Sequence, residues 1–477
     1  MAGKFKIVVS DLHLSAGRES EGNLLEDFAS DQDFAAFLAD IGAESERDEA
    51  EVELIINGDA FEMLQVPHVD GFDPRVFYEP EDYHSSSEED SVRKMAIIID
   101  GHRSFFDALG RFIRVGPPRR TVTFIKGNHD LNLHWAGVKD QIRQAVGATG
   151  GREPLLAFEE RRISREGIYV EHGNQYGEAV DRVEYMEEPY DHDKPGQLAI
   201  PPGSWFVMNV FNQVEREKYW IDGVKPITAL VWYALAYDFR FAARAIATLV
   251  GALPGIIWDG FLSFEVPQAG ALDQDWEDPD RVEELAQRYE TDATFRAELN
   301  DELARMLSPQ PDMPSFDIPA VPSVAEPVEM GDRVQQRVNS SLYEMAVKRA
   351  SEEQVKLVTF GHTHDAGVEP LPDGGTYVNS GTWTWRADFG GAGKEAWKDL
   401  FEHPERFTSD RRLSYVRIDY DEAGQPIGQL LEYKAEMPPP PPPSPTALPS
   451  LWERIVNWLR GLVARITGGG DLNEVQP

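Results

Sequence analysis

Short apolar runs recur along the chain at residues 5–9, 52–56, 121–125, 168–170 and 357–360, and each predicts a buried strand. Helical spacing over 23–41 and 95–113 separates the first three runs. Strand alternating with helix predicts parallel or mixed sheets covered by helices, an α/β fold. Further strands are expected at 377–379, 413–420 and 429–434, the last two as a hairpin turning at Glu422-Ala423-Gly424. The acidic stretches 44–53 and 79–90 are expected as loops.

Between about 180 and 350 the alternation stops. This stretch is helical and polar by turns and ends in a Pro-rich connector at 309–327, so it is expected to be an inserted cap, residues 181–350, within a core made of 1–180 and 351–436. Within it, 227–264 is dense in aromatic and aliphatic residues. Asp238, Arg240 and Arg244 interrupt it, and a spanning helix needs about 20 predominantly apolar residues. Buried cap helices, a groove for an acyl chain and a membrane-surface face all remain open for this stretch. Residues 437–449 hold six consecutive prolines, a stiff spacer. Residues 450–468 follow as an amphipathic helix behind the capping box Ser450-Leu451-Trp452-Glu453, with Arg454, Arg460 and Arg465 against Glu453 on its polar face. Such a helix suits an anionic membrane surface, its own domain or a partner's groove. Residues 469–477 read as a flexible tail.

Charge and composition narrow the partners. The 477 residues are 41% hydrophobic and 27% charged, in the range of a soluble globular protein. Lys+Arg 46 against Asp+Glu 83 gives a net charge of −37, a field that repels polyanions and argues against broad nucleic-acid binding. Cysteine is absent, so neither disulfides nor thiolate ligands exist, and a metal would have to be held by His, Asp, Glu and Asn. The N-terminus enters the first strand at once, without the pattern of a signal peptide, so a cytoplasmic location is expected, with the C-terminal helix as the one feature that would bring the chain to a membrane periphery. Oligomeric state has no signature here.

The candidate chemistry sits where the apolar runs end. Ser10-Asp11-Leu12-His13 follows the first, Gly58-Asp59-Ala60-Phe61-Glu62 the second, Gly127-Asn128-His129-Asp130 the third, Glu171-His172-Gly173 the fourth and Gly361-His362-Thr363-His364 the fifth. Taken singly, each has an ordinary structural explanation, such as a helix cap or a satisfied core histidine. In an alternating fold the carboxyl ends of strands gather on one edge. Carboxylates and imidazoles buried together are costly unless paired or bound to metal, so the joint pattern points to a metal centre.

The ordered set D-x-H, G-D-x-x-E, G-N-H-D, H-G and G-H-x-H resembles the calcineurin-like metallophosphoesterases, over residues 4–180 and about 350–390; Asn379-Ser380-Gly381-Thr382-Trp383 is similar to the strand-end segment that follows G-H-x-H in them. The resemblance implies a four-layer αββα sandwich with a helical insertion and the site on one edge. It implies two divalent metal ions: Asp11, His13 and His364 on the first, Asn128, His172 and His362 on the second, and Asp59 bridging. Imidazole and carboxylate suit Mn²⁺, Fe and Zn²⁺, with Mn²⁺ the foremost expectation. His129 would serve the leaving group, with Glu62 orienting and charging it. The expected activity is hydrolysis of a phosphomonoester, phosphodiester or pyrophosphate bond by metal-activated hydroxide. Ser10–His13 and Gly58–Glu62 are also similar to the UDP-diacylglucosamine pyrophosphatases, but His129 departs from the G-N-R-D of many of them and the gap from His172 to His362 is long for that group. A lipid-linked phosphate stays in view because of the apolar insertion and amphipathic tail. The alternatives are a metal-binding scaffold without turnover, and a nuclease, which the acidic charge disfavours.

Overall fold

The computed structural model describes residues 3–18, 21–177, 179–221, 223–225, 339–389, 394–408 and 411–433, together with Ala234, Phe241 and Ala392. The Pro-rich connector, the polyproline spacer, the C-terminal helix and tail, and all but two residues of the apolar stretch 227–264 lie outside the described residues. In chain order the strands are β1 (Lys4–Val9), β2 (Glu51–Asn57), β3 (Arg120–Ile125), β4 (Leu156–Glu159), β5 (Arg162–Arg165), β6 (Ile168–Glu171), β7 (Val224–Lys225), β8 (Leu357–Phe360), β9 (Gly367–Pro370), β10 (Thr376–Asn379), β11 (Ala387–Asp388), β12 (Ser414–Tyr420) and β13 (Pro426–Glu432).

They form two mixed sheets and a short pair. The first sheet runs β13-β12-β1-β2-β3-β4, the second β5-β6-β8-β10-β9, and β7 pairs with β11. β1 to β4 are parallel, with Val8 opposite Ile55 and Ile55 opposite Thr123, and β12 closes on β1 antiparallel. In the second sheet β6, β8 and β10 are parallel.

The two faces of each central strand bury different partners, as the period of two requires. Ile7, Val9, Leu54, Ile56, Val122 and Phe124 share a cluster with Phe34 and Phe37 of helix Asp31–Arg47, Met95 and Ile98 of Glu88–Gly101, Phe105 and Leu109 of Arg103–Phe112, and Val138 and Ile142 of Ala136–Val146. From the opposite face, Val8, Ile55 and Ile125 join Ile168, Val170, Leu357 and Val378 of the second sheet. The far face of that sheet, at Tyr169, Val358, Phe360 and Tyr377, is covered by Leu342, Ala346 and Ala350 of helix Ser340–Glu353. Each large side chain so buried contributes about 1.5–3 kcal/mol. β1–β3 and β6, β8 and β10 are therefore near-continuous apolar runs because both of their faces are covered.

Two helices depart from the sequence pattern. Residues 23–30 are not helical; the first helix is Asp31–Arg47. Side chains capture the backbone there: Glu26 accepts N–H groups from Ser15, Gly17 and Phe28, and Asn23 bonds the Gly17 carbonyl and the Leu25 N–H. The run over 95–113 is two helices, Glu88–Gly101 and Arg103–Phe112, broken at His102, whose ring is held by Glu26 (3.2 Å) and Asp31 (2.9 Å). The acidic stretches are also more ordered than loops: the first contains the end of helix Asp31–Arg47 and the start of β2, the second the turn Glu81–His84 and the start of Glu88–Gly101. Among the described residues no helix is long and apolar enough to cross a membrane.

Candidate metal centre

Parallel β1, β2 and β3 end on the same edge of the first sheet, and parallel β6 and β8 end on the same edge of the second. Hydrogen bonds stitch these ends together. Asp11 N–H donates to the Gly58 carbonyl (3.1 Å), and Leu12 and His13 both donate to that of Asp59 (2.9 Å each). Within the second sheet's edge, Gly361 N–H donates to the His172 carbonyl (2.8 Å); across the sheets, Asn57 Nδ2 donates to the Glu171 carbonyl (2.9 Å) and the Thr382 hydroxyl to the Asp11 carbonyl (2.7 Å).

The turns are tight enough to strain the backbone. Asp11, His13, Asp59, His362 and His364 have φ of 53°, 51°, 48°, 70° and 61°, in the left-handed region where side chains other than glycine cost about 1–3 kcal/mol. Neighbouring glycines make room: a Cβ at Gly127 would collide with the carboxylate and backbone N of Asp59, and one at Gly58 with the His172 ring.

Among the described residues three groups of side chains converge as a result, one of them the His13/Glu62/His129 set that overlaps the Asp11/His13/His364 set at His13. The ligand atoms of Asp11, His13 and His364 lie within 4.8 Å of one another, as do those of Asp59, His172 and His362. In the first, His13 Nε2 is 3.1 Å from His364 Nε2, and His364 Nε2 is 3.4 Å from Asp11 Oδ1. In the second, His172 Nε2 is 3.0 Å from Asp59 Oδ2. The same carboxylate oxygen is 4.0 Å from His13 Nε2, so Asp59 lies between the groups. Asn128 is buried in the turn that places His129 N–H on Asp59 Oδ1 (2.9 Å).

These side chains suit a metal ion. His172 donates through Nδ1 to the Asn57 carbonyl (3.0 Å), which leaves Nε2 as the atom that would ligate a metal. That Nε2 and Asn128 Oδ1 are buried without a hydrogen-bond partner. The short approach of His172 to Asp59 is thus close without being aligned as a hydrogen bond, as expected of two ligand atoms aimed at a shared cation.

Electrostatics agree. Burial pushes the Asp11 carboxyl up, but His172 and His364 pull it down to about 2. Burial also raises Asp59, yet His172, His129 and His13 hold it well below the usual carboxylate range. Burial lowers His172, and the Asp59 and Asp11 charges raise it to about 9. A cation binding here would take the place of such protons, because metal ligands bind deprotonated.

Beside the first group, Glu62 Oε2 lies 2.6 Å from His129 Nδ1 and 2.7 Å from His13 Nδ1. Burial drives Glu62 up and His129 down, but their attraction dominates, leaving Glu62 at about 2 and His129 at about 10. His129 keeps a 20% exposed side chain, against 4% for Glu62, so the imidazole rather than the carboxylate is reached by solvent.

All nine sequence-predicted site residues are thus gathered at one edge. Two further residues escaped sequence reasoning. Asp130 is fully buried and accepts N–H groups from Gly127 (2.6 Å) and Ala60 (2.8 Å), clamping the turns after β2 and β3; burial and the Asp59 charge push it up to about 7. Asp181 reaches within 3.5 Å of His362 Nε2. Asp130 stood in the G-N-H-D motif as a signal, whereas nothing around Asp181 distinguished it from other acidic residues. No protein-family model matches the chain, and no curated protein matches it.

Proposed function

We propose that the chain is a metal-dependent phosphoesterase of the calcineurin-like type, built on a four-layer αββα core and working with two divalent ions, Mn²⁺ foremost. One observation carries the reading: Asp59 groups with His172 and His362 and lies 4.0 Å from His13 of the group Asp11/His13/His364, with Asn128 buried in the turn after β3. A carboxylate shared by two such groups is the donor set that a dinuclear hydrolytic site needs. Divalent cations held there would supply Lewis acidity, neutralising charge on phosphoryl oxygens and acidifying water.

The chain's own contribution is orientation and proton supply. Asp11 and His172 are locked by backbone contacts, so the ligand set is formed in advance. Glu62 holds His129 through Nδ1 and keeps it cationic, which leaves Nε2 to deliver a proton to the departing oxygen. The substrate class is a phosphomonoester, phosphodiester or pyrophosphate.

The test is turnover of p-nitrophenyl phosphate and bis(p-nitrophenyl) phosphate with added Mn²⁺. Release of p-nitrophenol that disappears with EDTA and in Asp59→Asn is expected. Absence of metal-dependent turnover across a broad phosphoester panel would leave a binding or scaffold role instead.

A further inference from the structure

Glu62 presents a single oxygen to two imidazoles. Its Oε2 lies 2.7 Å from Nδ1 of His13 and 2.6 Å from Nδ1 of His129, and the two rings meet edge to face with centroids 4.8 Å apart. Its other oxygen is taken by the Leu64 N–H (3.2 Å), and its own N–H donates to the Leu14 carbonyl (2.8 Å), one residue beyond His13. The carboxylate is therefore fixed from both ends and buried at 3% exposure.

An ionised carboxylate oxygen only accepts, so both Nδ1 atoms must carry hydrogen. In the neutral ring that binds a metal, that fixes the His13 tautomer: its Nε2 holds the lone pair, and that atom faces His364 Nε2 at 3.1 Å and Asp59 Oδ2 at 4.0 Å. We propose that Glu62 is a positioning residue for the first metal site as well as for the leaving-group histidine, so that one carboxylate sets the ligand His13 and the proton donor His129 together. The inference rests on the phosphoesterase reading above and adds to it a second role for Glu62, in the affinity of the first metal site. Hydrogen-bonded partners behind a metal-bound histidine typically govern about 10–100-fold of metal affinity.

The test is Mn²⁺ titration of the full chain by calorimetry, with bound metal counted after dialysis. Glu62→Gln preserves volume, and it is expected to weaken one of the two sites about 10–100-fold while leaving the other within about twofold. His129→Asn is expected to leave both affinities unchanged. A double-mutant cycle separates the contact from general loosening. Added to His13→Asn, Glu62→Gln is expected to cost no further affinity; added to His129→Asn, it costs its full effect. Unchanged affinity at both sites in Glu62→Gln would confine Glu62 to His129 and overturn the proposal. So would equal weakening of both sites, or an additive effect in the His13→Asn background. Parent protein that binds no Mn²⁺ would instead remove the metal-centre reading on which the proposal stands.

Discussion

His172 and Asp59 meet through Nε2 and Oδ2 at 3.0 Å while the other His172 nitrogen is committed to the Asn57 carbonyl. The ring cannot rotate without losing that bond, so its lone pair and the carboxylate stay aimed at one point between β2 and β6. Asp59→Asn keeps the shape and removes the charge shared by both groups. Mn²⁺-dependent turnover is expected to fall by roughly 100-fold or more, the scale on which one charge-stabilising group acts in a water-excluded site. The check is kcat on p-nitrophenyl phosphate at saturating metal; a variant within a few-fold of the parent would remove Asp59 from the centre.

Gly127 makes a purely steric prediction. It carries no functional group, yet a methyl there would press on the Asp59 carboxylate and backbone N. Gly127→Ala is expected to displace Asp59 and depress turnover on the same scale as Asp59→Asn, with the fold retained as judged by far-UV circular dichroism. Full activity in Gly127→Ala would mean that the turn after β3 has room to yield.

The strands that carry the site were legible because they are covered on both faces, which leaves apolar runs such as Ile7–Val8–Val9 and Leu54–Ile55–Ile56 with a polar motif at the end. β4, β5 and β9 were not, since each is four residues long with a single buried position and so leaves no sustained apolar run. The break at His102 was hidden for a different reason. The local pattern is helical, and the carboxylates that hold the ring come from Glu26 and Asp31. The metal-ligand candidates were visible as residue types at strand ends, whereas the link from Glu62 to His13 depends on the packing of two turns and has no sequence signature.

His129 makes a prediction about leaving groups. If its Nε2 delivers the proton, then replacing it matters most where the departing oxygen is basic. His129→Gln is expected to lower kcat by about 10²–10⁴-fold on an alkyl or phenyl phosphoester, the range for general acid catalysis, and far less on p-nitrophenyl phosphate, whose leaving group departs as an anion. The measurement is the ratio of kcat for the two substrate types in parent and variant. An equal drop on both would assign His129 to binding rather than proton transfer.

His102 predicts a pH dependence of stability that is independent of the metal centre. The ring is 1% exposed; burial pushes its pKa down, but Glu26 and Asp31 raise it to about 10, against 6.5 when unfolded. Below about pH 6.5 both states are protonated and the pairing contributes fully. As pH rises, the unfolded chain releases its proton first, so the contribution declines from about pH 6.5 and is gone above about pH 10. Its size is on the order of a few kcal/mol, since every tenfold gain in proton affinity on folding corresponds to about 1.4 kcal/mol. The urea midpoint of the parent is expected to fall between pH 6 and pH 9.5. His102→Gln, which cannot titrate, is expected to be less stable at pH 6 and to lose this part of the slope. A parent and a variant with parallel profiles would show that the imidazole is neutral in the folded chain, with Glu26 held by its three backbone N–H donors alone.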